Sequence, residues 1–294
     1  MIDLHGPGPL LVFGGPYSNL PATRAMQAEA QRLGIPPDRV ICTGDVVAYC
    51  AEPEETTALV RAWGIHCIAG NCEEQLAAGG ADCGCGFEEG SACDLLAKGW
   101  YPYANARVSS ASRQWMAGLA ATLRFRYGGA TFNVIHGGVS QTNKFIFASE
   151  IGSLRDEASA SGAEIIVAGH SGLPFIAKAG HRTWFNPGVI GMPANDGQPS
   201  VWFGLITASD NGIKLETRRL AYDHDAAAAS LRRSGHANGY ARTLITGLWP
   251  SLDVLPEVER AAMGKRLRPK IVTVRKAASN PDQPAPTFAC NHSA

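Results

Sequence analysis

The sequence of 294 residues has no charge bias: Lys+Arg and Asp+Glu are both 26. A general nucleic-acid or membrane-surface binder needs a basic face, so neither partner is expected. No run of about 18 apolar residues occurs, so no membrane span is expected. Residues 1–11 lack a basic stretch followed by a signal-like apolar core, which reads as a cytoplasmic protein. There is no internal repeat and no paired Cys-x-x-Cys of the common zinc modules. A core is not lacking: 45% of the residues are hydrophobic, which excludes global disorder.

Eight cysteines are present, and four of them crowd between Cys72 and Cys93. In a cytosolic chain of this size they read as metal-binding, catalytic or buried thiols rather than as a disulfide framework. Cys42 and Cys67 lie inside apolar strand-like runs and are expected to be buried. Cys290 falls in a tail rich in Pro, Ser and Asn.

Apolar runs and helical periodicity alternate along the first third. Leu10 to Phe13 is a strand ending in Gly14-Gly15-Pro16, and Pro21 to Leu33 is a helix capped by Ser18 or Asn19. Arg39 to Thr43 is a strand ending in Gly44-Asp45. A helix over 54–63 and a strand over 65–69 lead to Gly70-Asn71-Cys72-Glu73. Residues 77–90 have no period and read as a loop. Residues 92–122 are mostly helical, with an aromatic interruption at Trp100-Tyr101-Pro102-Tyr103. A hairpin over 123–135 delivers His136-Gly137, and a strand over 164–168 delivers Gly169-His170-Ser171-Gly172. Short strands at 174–178 and 183–185 and a hairpin over 200–220 follow.

The organisation expected is an α/β domain over 1–224 with a Cys-rich loop at 77–93. A helical appendage follows at 225–264, then a basic and finally disordered tail at 265–294. In a sheet flanked by helices, ligands gather at the carboxyl ends of the strands, where these turns fall. One Asp, one Asn and two His converge there. Carboxylate, carboxamide oxygen and imidazole together suit a divalent ion such as Mn, Fe or Zn. Each residue alone is also an ordinary turn residue; the case rests on four of them at successive strand ends.

Asn19-Leu20-Pro21-Ala22, Gly44-Asp45-Val46-Val47-Ala48-Tyr49, Gly70-Asn71, His136-Gly137, Gly169-His170 and Asn186-Pro187-Gly188 together resemble the calcineurin-like metallophosphoesterases. The likeness is to their small bacterial phosphodiesterase branch and runs over about residues 10–193. It implies a four-layer αββα sandwich with a two-metal site at one edge, and a small phosphoester substrate. It also shows departures. The family's Asp-x-His is Gly15 and Tyr17 here, Cys72 replaces the His of the third motif, and Gly172 replaces the second His of the fifth.

By the family's pattern, Asp45, Asn71, His136 and His170 form a complete ligand set for one ion. Of the other ion's set only Asp45 remains. One metal per chain is therefore expected, with Cys72 as a catalytic group or further ligand. Cys50, Cys83, Cys85 and Cys93 are candidate thiolates for a second, softer ion near the vacated position; a redox pair or a separate structural zinc site is the alternative. Tyr17 either fills the space of a lost ligand or bonds a substrate oxygen. Asn143, Lys144, Asn195 and Asp196 are candidate substrate contacts or solvated loop residues. A non-hydrolytic metal- or metabolite-binding or redox-sensing protein on the same scaffold is the second functional reading. The oligomeric state leaves no mark on the sequence.

Overall fold

The computed structural model describes residues 2–4, 6, 8–236 and 239–275. The first half runs β1 (Ile2–Asp3), β2 (Leu10–Phe13), α1 (Leu20–Arg32), β3 (Val40–Cys42), α2 (Pro53–Trp63), β4 (His66–Cys67), α3 (Asn71–Ala78), α4 (Ala92–Asn105) and α5 (Ser110–Ala117). The second runs β5 (Leu123–Tyr127), β6 (Ala130–Ile135), α6 (Ile151–Ser161), β7 (Ile165–Ala168), β8 (Phe175–Ala179), β9 (Arg182–Asn186), β10 (Val201–Ser209), β11 (Gly212–Leu220), α7 (His224–Ser234), α8 (Tyr240–Thr246), α9 (Glu257–Ala261) and β12 (Ile271–Val274).

Two six-stranded sheets face each other, in the orders β1-β5-β6-β7-β9-β8 and β12-β11-β10-β2-β3-β4. The strand side chains explain the layering. In β2, Leu10 and Val12 join Ile165, Val167 and Phe185 between the sheets. Leu11 and Phe13 point the other way, onto Met26 of α1 and Val60 of α2. In β7 the alternation repeats, with Ile166 and Ala168 turned outward onto Leu154 of α6. A strand apolar on both faces needs cover on both, and the period of two supplies it. The result is helix, sheet, sheet, helix: the αββα sandwich.

A further core sits above the strand ends. Tyr17, Cys72, Trp100 and Tyr101 pack there with Leu231 of α7 and Leu244 of α8. The helical appendage is thus built into the molecule.

Several local expectations change. Helix α4 runs through Pro102 without a break; the proline stands on its exposed face, where solvent can take the carbonyl left unpaired. Cys93 belongs to α4 and not to the loop, which covers 79–91. Asn71 and Cys72 open helix α3 instead of a free turn. Within the basic segment, β12 pairs antiparallel with β11, so residues 271–274 form an edge strand. Cys42 is buried, but Cys67 is partly exposed because β4 is an edge strand. The end of the tail, with Cys290, lies outside the described residues. No described helix is long and apolar enough to cross a membrane.

Candidate metal centre

The loops after β2, β3, β6 and β7 meet the start of α3 at one edge of the sandwich. Asp45 and His170 hold left-handed backbone, with φ of 56° and 55°. Such conformations are costly for residues other than glycine and gather where a side chain must be placed. The glycines permit the approach: a Cβ on Gly44 would stand 2.5 Å from Gly70 N, and one on Gly70 would stand 2.6 Å from Asp45 N.

His136 Nε2 is the hub. It lies 3.2 Å from Asp45 Oδ2, 3.1 Å from Asn71 Oδ1 and 3.1 Å from His170 Nδ1. Ligands held about 2.1 Å from a small divalent ion stand about 3.0–3.4 Å from one another, so the spacing and the donor types fit such an ion. Among the described His, Cys, Asp and Glu side chains, the ligand atoms of Asp45, His136 and His170 all lie within 4.8 Å of one another, and all three residues are buried.

Neighbours fix the orientation of each group. His136 Nδ1 is 2.7 Å from the Thr43 carbonyl, which assigns its proton to Nδ1 and leaves Nε2 free to ligate. Asn71 Nδ2 donates to the Cys83 carbonyl at 2.8 Å, turning Oδ1 inward. The Cys-rich loop is therefore the support of Asn71. His170 Nε2 is buried and has no well-formed hydrogen bond, although the Asn143 backbone stands near it.

Burial opposes charge on Asp45, but His136, His170 and the Cys72 N–H hold its carboxyl below the ordinary range. Burial likewise opposes charge on His136, and the Asp45 carboxylate and Thr43 carbonyl outweigh it and raise the pKa. Burial and the neighbouring His136 lower His170 to about 3, so it stays neutral.

Glu73 does work that the sequence reading missed. Its carboxylate accepts from Asp45 N at 2.7 Å, Gly70 N at 3.0 Å and Val47 N at 3.2 Å. It ties the Asp45 loop to the start of α3, and the Gly70-to-Glu73 spacing of a capping box was the available signal. Burial and the Asp45 charge raise it to about 7.

The other side of Asp45 is packed. Tyr17 is buried at 4% exposure, and a Cβ on Gly15 would stand 2.5 Å from its ring. An acidic side chain at position 15 has no room. A Cβ on Gly172 would stand 3.4 Å from the ring of Trp249, whose Nε1–H donates to the Pro193 carbonyl at 2.7 Å and whose backbone N–H donates to Asn195 Oδ1 at 2.9 Å. Tyr17 is a filling residue, and Trp249 was invisible to motif reading because it comes from the appendage.

The structure gathers Cys72, Cys83 and Cys85 around the Asn71 amide, whose Nδ2 lies 3.6 Å from Cys72 Sγ and 3.3 Å from Cys85 Sγ, and leaves Cys50 and Cys93 apart. Cys72 is buried against Tyr17 and close to Asp45. Cys83 and Cys85 are bonded to each other, with Cys85 Sγ 3.3 Å from Asn71 Nδ2. Cys50 points its sulfur at the Gly191 carbonyl, 3.8 Å away, and burial pushes its thiol pKa up. Cys93 is half-buried on α4 beside Ser251. Of the other candidates, Asn143 bonds the Gly84 carbonyl at 2.9 Å and Lys144 pairs with Glu157 at 2.6 Å. Asn195 anchors Trp249, and buried Asp196 pairs with Arg219. All four have structural partners.

The profile of the calcineurin-like phosphoesterase superfamily domain matches residues 3–210. The chain belongs to that superfamily. Among solved structures it is similar to a metallophosphoesterase from Sphaerobacter thermophilus, at 19% identity over 83% of this chain and 100% of the other, with a TM-score of 0.65. It is also similar to a hypothetical protein from Pyrococcus horikoshii OT3, at 15% identity over 81% and 98% of the two chains, with a TM-score of 0.67. At these identities the likeness concerns the αββα fold. No curated protein matches the sequence. The superfamily uses divalent metal, and the Asp45, His136 and His170 cluster offers this calcineurin-like phosphoesterase a place for it.

Proposed function

We propose that the protein is a metal-dependent hydrolase of small phosphoesters that works with a single divalent ion, Mn, Fe or Zn. The observation that carries this reading is the convergence of Asp45 Oδ2, Asn71 Oδ1 and His170 Nδ1 on His136 Nε2 at 3.1–3.2 Å. These four residues would hold the ion, which supplies Lewis-acid polarisation of a phosphoryl oxygen and acidifies water.

The chain does the rest. Thr43 and Cys83 aim the ligands through their carbonyls, and Glu73 locks the Asp45 loop in place. Tyr17 and Trp249 exclude water from the side that a second ion would occupy. Cys72, buried next to both Asp45 and Tyr17, stands at the boundary between ion and packed wall, and we propose that it bounds the ion site from the packed side. Without a second ion the symmetric clamp on attacking and leaving oxygens is absent.

That packing also favours a second reading, a non-hydrolytic protein that binds a metal and a metabolite. Metal content and turnover separate the two. Purified protein is expected to hold about one ion per chain and to hydrolyse bis(p-nitrophenyl) phosphate with Mn, with both lost in Asp45→Ala. One ion without turnover of any phosphoester supports the second reading. Metal-free folded protein after Mn loading contradicts both.

A further inference from the structure

We infer that the cleft beside His170 receives the aryl group of a monoanionic aryl phosphodiester. This rests on the hydrolase reading above and names its substrate class. The cleft, with a cavity volume of ≈ 70 Å³, lies between the Cys-rich loop, the loop after β6 and the C-terminal segment. Its walls are rings. Tyr17, Tyr49 and Tyr240 line it as one group of touching rings, Phe87 and Phe145 as another, and Trp249 lines it too.

The rings are already in stacking register. Tyr49 is edge-on to Tyr17 with centroids 4.8 Å apart and lies 4.7 Å from Tyr240. Phe145 is stacked on Phe87 at 6.1 Å and lies 4.1 Å from the His170 ring. The Phe87–Phe145 wall thus ends on the imidazole of a proposed ligand. A flat ring in the cleft gains offset or edge contacts with both groups and continues into the phosphoryl position.

Charge narrows the choice. Among the described residues, no Lys, Arg, Asp or Glu lines the cleft. Asp45 is the one carboxylate among the proposed ligands, and Glu73 lies behind it on the Asp45 N–H, so a divalent ion leaves at most one net positive charge at the floor. That matches a phosphodiester monoanion; a phosphomonoester dianion or a polyphosphate would bring surplus charge against apolar walls. The polar side chains on the walls are sparse, and Ser171 is already engaged by Asn186 at 2.9 Å. A plain aryl group suits such walls better than a nucleobase, whose amide and amine edges would lose their partners.

The test is calorimetric titration of Mn-loaded protein with benzyl(methyl)phosphinate and propyl(methyl)phosphinate. Both are monoanions with P–C bonds in place of ester bonds, so neither can be hydrolysed, and they differ in the ring. The benzyl compound is expected to bind about tenfold tighter, the worth of burying roughly half a ring's surface. Tyr49→Ala, and separately Leu96→Trp, which narrows the cleft without deleting a wall ring, are expected to bring the ratio near unity with metal content unchanged. Equal binding of the two phosphinates by the unmodified protein overturns the aryl inference and leaves the hydrolase reading standing. A ratio untouched by both variants overturns the location. Failure of both phosphinates to bind Mn-loaded protein overturns the hydrolase reading, and the inference with it.

Discussion

Around the Asp45 carboxylate the site divides into a polar half and a packed half. On one side His136, His170 and Asn71 turn their lone pairs inward, and the Thr43 and Cys83 carbonyls hold two of them in that pose. On the other, Gly15, Tyr17, Cys72 and Gly172 offer a ring, a thiol and two missing side chains, and Trp249 completes the wall. The motif resemblance implies that these are the positions of the superfamily's two ions, and on the one-ion proposal the ligands of one of them are lost as a set. A single surviving imidazole amid Tyr17 and Trp249 would be a buried polar group without partners, which costs about 1–3 kcal/mol. Removing them all and filling the space with rings avoids that cost.

The sharpest break between the halves is expected in metal affinity. Asp45→Asn or His170→Ala should weaken Mn binding by more than about 100-fold, since even outer partners of metal ligands are worth about 10–100-fold. Cys72→Ser should leave it nearly unchanged. Equilibrium dialysis measures both, and a large loss in Cys72→Ser would place the thiol in the ligand set.

The next effect concerns the filled side. The triple variant Gly15→Asp, Tyr17→His, Gly172→His restores the ligand types and is expected to raise the content from about one ion to about two. Gly15→Asp alone should destabilise the fold by about 2 kcal/mol, because its Cβ meets the Tyr17 ring. Chemical denaturation of the single variant and elemental analysis of the triple decide whether packing or chemistry keeps the second ion out.

How much of this was legible depends on distance along the chain. Asp45, Asn71, His136 and His170 each follow an apolar run within a residue or two, so local sequence marked both the strand end and its side chain. The loss at Gly15, Tyr17 and Gly172 was legible in the same way. Trp249 and Tyr240 were not: they sit in a helical region whose alanine-rich pattern points to a surface appendage, and only tertiary packing carries them to the site. Glu73 stood in plain view, but its three backbone donors come from two loops. The pairing of β12 with β11 was hidden by the surrounding lysines and arginines, since an edge strand can be polar. The helix through Pro102 shows packing overriding a local breaker.

The smallest effect lies outside both halves, in the loop that carries His136. Glu157 accepts from Val139 N at 2.7 Å and Ser140 N at 3.0 Å, and from Ser140 Oγ and Lys144 Nζ at 2.6 Å each. Burial opposes its charge, but these donors overcome that and lower its pKa to about 2. A carboxyl lowered on folding stabilises the protein above its ordinary pKa, and that contribution disappears as pH falls from about 4.5 towards 2. Glu157→Gln is expected to cost roughly 2 kcal/mol at neutral pH and to flatten the acid limb of the stability curve. An acid limb identical to that of the unmodified protein would remove Glu157 from the account.

The central claim is one ion, on the polar side. Anomalous scattering from a crystal of Mn-loaded protein tests it most directly. The account predicts a single anomalous peak among Asp45, Asn71, His136 and His170, with the Tyr17 ring in place beside it. Two peaks about 3.5–4 Å apart, or a peak among the cysteine sulfurs with the Asp45 side empty, would contradict it.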